Sequence, residues 1–170
     1  MIEKLKFCKI REVKTPNRAH RTDAGMDFFL PEFDDEMIKD FVSMNSKKAS
    51  EIGHDHISIP PHASIKIPMG IKVIVPEGYA LVAFNKSGVS SKTGLTLGAC
   101  VVDEGYTGEL ILNYLNTSSD TVMVKPGQKC VQFLLLNVDK PVADEITPEE
   151  YETITLNSQR GDGSFGSTGI

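Results

Sequence analysis

The sequence predicts an all-β jelly-roll barrel carrying one short helical insertion around residues 34–48. Three observations lead there. Short apolar segments recur at close spacing and are punctuated by Gly and Pro, the pattern of an antiparallel barrel or jelly roll. A single stretch departs from it and follows a helical period. The chain has 170 residues with 40 % apolar and 24 % charged side chains, which makes one soluble domain with a proper core.

The elements follow in order. Ile2, Leu5 and Phe7, with Lys4 and Lys6 between them, read as an opening strand. In 34–48, Asp34 or Asp35 caps a helix that places Met37, Ile38, Phe41, Val42 and Met44 roughly on one face, with Lys47 and Lys48 near its end. Ser64–Pro68 alternates around Ile65 and Ile67. Ile71–Val75 is a β-branched run closed by the turn Pro76-Glu77-Gly78. Tyr79–Phe84, Glu109–Asn116 and Cys130–Val138 complete the strands, the last two separated by a turn at Pro126-Gly127. Glycines concentrate in two places, at 88–108 and 161–169, where backbone turns sharply or approaches a ligand closely.

Composition excludes several classes. No apolar run approaches the roughly 18 residues of a membrane span, and the N-terminal MIEKLKFCKI is unlike a signal peptide. Cys8, Cys100 and Cys130 are odd in number and lack a CxxC, which excludes a zinc ribbon, argues against a disulfide framework and points to a reducing cytoplasm. A net charge of −5 argues against a broad grip on nucleic acid but leaves room for a small phosphorylated ligand. Residues 1–22 are basic and 23–56 acidic, the pattern of solvated surface.

Five blocks carry candidate chemistry. In Asp23–Asp27, Asp27 suits the water shell of a hydrated Mg²⁺, although a carboxylate beside Gly is also ordinary turn chemistry. Asn85–Gly94 lacks the glycines of a P-loop, having Lys86 and Ser91 in their places. It is either a phosphate cradle of hydroxyls, backbone N–H groups and two lysines, or a polar loop. Gly98–Glu109 reads as a β-hairpin in which Val101-Val102 enter a turn at Asp103–Gly105. Such a hairpin suits reading the polar edge of a flat base, with Asp103 orienting and deprotonating a water and Tyr106 under a sugar. The alternative has Tyr106 in the core and Asp103 as turn chemistry. Gln132, among Val131, Phe133 and Leu134, needs a partner if buried. The tail from Arg160 to Ile170 suits a closing flap, with Arg160 forking onto a terminal phosphate and Phe165 stacking on a base; a disordered terminus is the alternative.

In this order the blocks resemble the trimeric dUTPases (deoxyuridine 5′-triphosphate nucleotidohydrolases). The residues concerned are AGMD at 24–27, KSG at 86–88, CVVDEGYTGE at 100–109, GQKCVQ at 127–132 and RGDGSFGSTG at 160–169. The resemblance implies a β-clip jelly roll over residues 1–156, with an insertion at about 31–57, and a flexible arm over 157–170. It implies a homotrimer whose active sites are shared between subunits, and Mg²⁺-dependent hydrolysis of dUTP to dUMP and diphosphate. Asp103 then activates the water that attacks the α-phosphorus, and Tyr106 packs on the deoxyribose. Ala99, Val101, Val102 and Ile111 read uracil, while Lys86, Ser87, Gly88 and Gln132 hold phosphates. Arg160 takes the γ-phosphate, Phe165 covers the base, Gly166, Ser167 and Thr168 wrap phosphates, and Asp27 touches the water shell of a Mg²⁺ held mainly by the triphosphate.

This sequence departs from the family pattern at three points. Lys86 stands where Arg is usual and lacks its bidentate fork, Ser164 replaces a Gly, and Asp27 and Ser87 are 60 positions apart, the helical insertion accounting for the excess. A dCTP deaminase, which shares the fold, would carry Glu where this chain has Asn113. A non-catalytic nucleotide-binding protein is disfavoured by Asp103 and the complete tail. The pair His54 and His56 is too small a donor set for a metal site.

Overall fold

The computed structural model describes residues 4–45, 51–159 and 161–163. The chain divides into two compact units, Met1–Asp139 and Lys140–Ile170. In the first unit the described residues form strands β1 (Lys6–Lys9), β2 (Met26–Phe29), β3 (Ile57–Ile59), β4 (Ser64–Ile74), β5 (Tyr79–Phe84), β6 (Leu95–Leu97), β7 (Val101–Val102), β8 (Glu109–Asn116), β9 (Val122–Val124) and β10 (Lys129–Asn137). Two helices join them, α1 (Asp35–Met44) and α2 (Ser87–Thr93). The second unit contains α3 (Pro148–Thr155).

Two four-stranded sheets, ordered β1-β4-β8-β6 and β2-β10-β5-β7, enclose the core of the first unit, and β3 pairs with β9. This is the expected all-β jelly-roll class, built as a sandwich; among the described residues the sheets do not close into one barrel. Strand alternation supplies the core: Ile65 and Ile67 of β4, Leu110, Leu112 and Tyr114 of β8, and Val131 and Phe133 of β10 are buried. The rings of Phe28 and Phe133 meet edge to face across β2 and β10, with centroids 4.7 Å apart. Tyr114 is buried with its hydroxyl donating to the Cys130 carbonyl at 2.5 Å. Burial pushes both the Tyr114 phenol and the Cys130 thiol up, so both stay protonated at neutral pH.

Several expectations change on folding. The opening strand is β1, which starts at Lys6; residues 1–3 lie outside the described residues. The expected pair 64–68 and 71–75 is one strand, β4, with a register break between Pro68 and Lys72. Gly70 sits in that break at φ +71°, where a Cβ would meet Arg11 Cβ at 3.0 Å. Residues 85–94, read as either a phosphate cradle or a polar loop, hold helix α2, which ends at Gly94 in the left-handed conformation. Helix α3 was not anticipated, although its start is legible: Thr147 and Glu150 form a reciprocal capping box with Pro148 at the first turn.

The insertion is helical as expected. Asp34 caps it by accepting the Met37 N–H at 2.8 Å. Only part of the expected apolar face is buried: Met37 and Phe41 are in the core, whereas Val42 and Met44 are exposed and Lys47 and Lys48 lie outside the described residues. A ten-residue helix is marginal by itself. Burial of Met37 and Phe41, roughly 1.5–3 kcal/mol each, holds it on the sheet, and Asn45 exchanges hydrogen bonds with both backbone groups of Lys66 on β4, at 2.7 and 2.8 Å.

Candidate active site

Val101-Val102 do not pair with β8. They pair with β5, Leu81 opposite Val102 and Val82 opposite Val101, whereas β8 pairs with β4 and β6. The expected hairpin is therefore a crossover, residues 103–108, that carries the chain from one sheet to the other. Its turn is closed by the Tyr106 N–H donating to the Asp103 carbonyl at 3.1 Å.

The crossover borders an apolar pocket. Ala99, Val101, Val102, Asp103, Tyr106 and Ile111 all line it, so six expected site residues meet in one place. Cys100 and the β-strand residues Ala83, Leu110, Leu112 and Phe133 complete the wall. Tyr106 is not in the core: it is 42 % exposed, with its hydroxyl donating to the Glu109 carbonyl at 2.6 Å. The Asp103 carboxylate is exposed at the rim and makes no hydrogen bond or ion pair among the described residues. The approach to the pocket is fixed from behind. Gly98 donates to the Asn113 carbonyl at 3.0 Å, and a Cβ there would fall 2.0 Å from Asn113 Oδ1. Asn113 itself is committed to structure, donating to Ser64 Oγ at 3.1 Å and the Ile65 carbonyl at 3.0 Å.

Of the residues expected on the phosphate side, some gather at a second place. Asp27, Lys86 and Gln132 line a second depression with Phe84, Lys129 and Leu134. Asp27 is buried and forms ion pairs with Lys86 and, at 2.7 Å, with Lys129. Burial alone would raise its carboxyl, but the hydrogen bonds and charges of the two lysines outweigh it and hold the group below the ordinary carboxylate value. Gln132 is only half-buried, so the condition for needing a partner is not met, yet its side chain donates to the Asn85 carbonyl at 3.0 Å. Ser87 opens α2 at an exposed position, and Gly88 borders a third hollow beneath that helix. Arg160, Phe165, Gly166, Ser167 and Thr168 lie outside the described residues.

Lys129 is the clearest residue that sequence reasoning missed. Simple alternation puts residues 129 and 132 on opposite faces of a strand, but the β10–β2 register shifts between Lys129 and Val131. That bulge brings Lys129 to the same carboxylate that sits opposite Gln132. No periodicity in the sequence marks it.

Among the described residues no group of three His, Cys, Asp or Glu side chains is placed to hold a metal ion. His54 is used structurally, with Nδ1 2.7 Å from the Phe33 carbonyl, and His56 Nδ1 lies 2.9 Å from Asp55. Both oxygens of Asp27 are engaged by lysines. Among the described residues the donor set does not fit a protein-caged Mg²⁺.

The fold and its cavities together define a jelly roll with an apolar pocket, an exposed carboxylate at its rim and a separate lysine-bearing depression. Comparison with known proteins agrees. The dUTPase family model matches residues 53–169, and the chain belongs to that family. The deoxyuridine 5′-triphosphate nucleotidohydrolase of Candida albicans is 36 % identical over 113 residues, covering 66 % of this chain and 68 % of that protein. Among solved structures, a mutant dUTPase of Staphylococcus bacteriophage 80alpha with dUpNHpp superposes with a TM-score of 0.74 at 24 % identity, covering 99 % of this chain and 100 % of that one. A mutant dUTPase from phage phi11 of S. aureus, described for its structural Mg(II) ion, gives 0.65 at 23 % identity, covering 85 % and 97 %. At these identities the structural likeness speaks for the fold.

Proposed function

We propose that this chain hydrolyses dUTP to dUMP and diphosphate, the reaction for which its relatives are named. The observation that carries the reading is Asp103: an exposed carboxylate with no partner among the described residues, at the rim of a pocket walled by Ala99, Val101, Val102 and Tyr106. Asp103 accepts a proton from water as the water oxygen bonds to the α-phosphorus, and the bond from that phosphorus to the departing diphosphate breaks. No covalent intermediate with the protein is needed. Uracil sits against the backbone of 99–102 and Ile111, where a base with mismatched donors leaves buried polar groups unpaired. Tyr106, fixed through its hydroxyl to Glu109, packs on the deoxyribose.

Lys86, Ser87, Gly88 and Gln132 hold phosphates, and Lys129 adds a further positive charge beside them. Mg²⁺ arriving with the triphosphate would neutralise phosphate charge, and Asp27 is the residue that would meet its water shell. Residues 1–156 form the body of the enzyme. Residues 157–170 form an arm in which Arg160 meets the γ-phosphate, Phe165 the base, and Gly166, Ser167 and Thr168 the phosphates.

Strand geometry supports a homotrimer with shared sites. The base-side pocket and the phosphate-side depression take alternate residues of the same strands, Ala83 against Phe84 and Phe133 against Gln132. They therefore lie on opposite faces of one sheet, and one substrate molecule spans both only if two copies contribute. Deamination is disfavoured because Asn113 is an amide tied to Ser64 and Ile65. Free Cys8, Cys100 and Cys130 support a cytoplasmic location, and no helix among the described residues is long and apolar enough to cross a membrane.

The test is diphosphate release from dUTP, UTP, dTTP and dCTP, with and without Mg²⁺. Selective release from dUTP supports the proposal, and ammonia release from dCTP or binding without turnover refutes it.

A further inference from the structure

Arg11 plays no part in the scheme above, yet it is among the most confined charges in the molecule, with its side chain 6 % exposed. It reaches from the segment after β1 into the space between α1 and the start of β8. Its Nε donates to Glu109 Oε1 at 3.1 Å and its Nη2 to Glu109 Oε2 at 3.3 Å, while Nη2 also pairs with Asp40 of α1. Glu109 Oε1 additionally accepts the Gly70 N–H at 2.6 Å, in the break of β4.

Glu109 is the residue on which the 103–108 crossover lands. Its side chain is held by Arg11 and Gly70, and its carbonyl by the Tyr106 hydroxyl at 2.6 Å. At the other end of the same segment, the Glu104 carboxylate accepts the Gly78 N–H at 2.7 Å. Asp103 thus directly precedes the first anchor, Glu104, and the second, Glu109 at the far end of the crossover, is gripped by helix α1 through Asp40 and Arg11.

Stability alone explains this cluster poorly. Two carboxylates share one guanidinium, and Arg11 Nη1 is buried with no hydrogen-bond partner among the described residues. Such buried ionic groups are often no more stabilising than apolar residues of the same volume. What the cluster does supply is a fixed, forked geometry. Arg11 and Asp40 also precede residue 53, where the match to the family model begins.

We propose that Arg11 and Asp40 are positioning residues for dUTP hydrolysis, and that the insertion helix α1 acts through them and Glu109 to hold the Asp103 crossover in its productive place. This rests on the assignment of Asp103 given above.

The test uses the full chain. In Asp40→Ala, Met37 and Phe41 still bury, so the melting temperature and oligomeric state stay close to those of the parent. Misplacement of about an ångström costs up to ~10²-fold in rate, so kcat for dUTP falls roughly 10- to 100-fold with KM within about twofold. Asp40→Glu, which can still reach the guanidinium, restores most of kcat. Arg11→Lys, which keeps the charge but loses the fork, behaves like Asp40→Ala; if it does not fold, the two Asp40 variants carry the test alone. The proposal is overturned if Asp40→Ala keeps parental kcat. It is equally overturned if kcat and melting temperature fall together and Asp40→Glu rescues neither. Asp103→Asn is the control: inactive Asp103→Asn with fully active Asp40→Ala sinks only this inference, whereas an active Asp103→Asn sinks the underlying assignment as well.

Discussion

Gln132 and Phe133 are consecutive residues of β10 that border different cavities: Gln132 faces the depression holding Asp27 and Lys86, and Phe133 faces the pocket rimmed by Asp103. Their cross-strand partners repeat the division, Phe84 opposite Gln132 and Ala83 opposite Phe133. Because successive side chains of a strand point to opposite faces, the two halves of the proposed site lie on opposite faces of β10, which suits a site shared between subunits as proposed above.

Complementation follows directly. Asp103→Asn and Lys86→Ala chains are each expected to be inactive alone. Mixed at equal amounts in refolded trimers, about a quarter of the sites combine one intact half from each variant, if each site draws its halves from two different subunits. Diphosphate release well above either parent is expected, and none at all would mean that the halves do not cooperate across subunits.

Asp103→Asn alone removes the proton acceptor while leaving the pocket wall intact. Affinity for dUpNHpp, measured by calorimetry, should hold within a few-fold while turnover falls by at least ~10². Near-parental turnover would reassign the carboxylate to turn structure.

Gly98→Ala tests the backing of the pocket. Its Cβ would lie 2.0 Å from Asn113 Oδ1 and 2.4 Å from Leu115 Cδ1. The backbone of 98–100 must shift, costing about 1–3 kcal/mol, so both a lower melting temperature and a higher KM for dUTP are expected. An unchanged KM would uncouple this residue from base reading.

Asp27 makes a pH prediction. Its carboxyl lies below the ordinary value of 3.8 in the folded protein, so its contribution to stability is complete above that value and is lost as pH falls through the lowered native one. Urea midpoints recorded between neutral pH and pH 2 should therefore drop on the acid side. The drop should be shallower in Asp27→Asn, which itself starts from a lower midpoint because Lys86 and Lys129 lose their counter-charge. Equal acid limbs would remove Asp27 from the account.

Truncation after Gln159 removes Arg160 and Phe165 but none of the strands. A folded trimer with hydrolysis reduced by about 10² or more is the expected result. An unfolded product would make the arm part of the core instead.

Much of this was legible in advance because the signals are local. Tyr79–Phe84 and Glu109–Asn116 are strands at their expected bounds, and Asp34 caps the insertion helix through the Met37 N–H, the side chain its type predicts. The pocket residues Ala99–Asp103, Tyr106 and Ile111 are close in sequence, so their meeting needed little from the fold. Residues 85–94 misled for a physical reason: Ser, Lys and Gly suit a loop as well as a short helix, and the turn is held by backbone bonds such as Ser90 N–H to the Lys86 carbonyl.

The sequence by itself determined where the longer strands run, though not the short β2, β3, β6 and β9, which residue types could bind phosphate or activate water, and which family the blocks belong to. All of these depend on spacing along the chain. Only the tertiary structure decided that Val101-Val102 pair with β5 rather than β8, that a bulge turns Lys129 toward Asp27, and that Arg11 joins Asp40 to Glu109, 98 positions away. Those are long-range matters of sheet order, register and buried charge, set by the packing of elements that no local pattern of residues encodes.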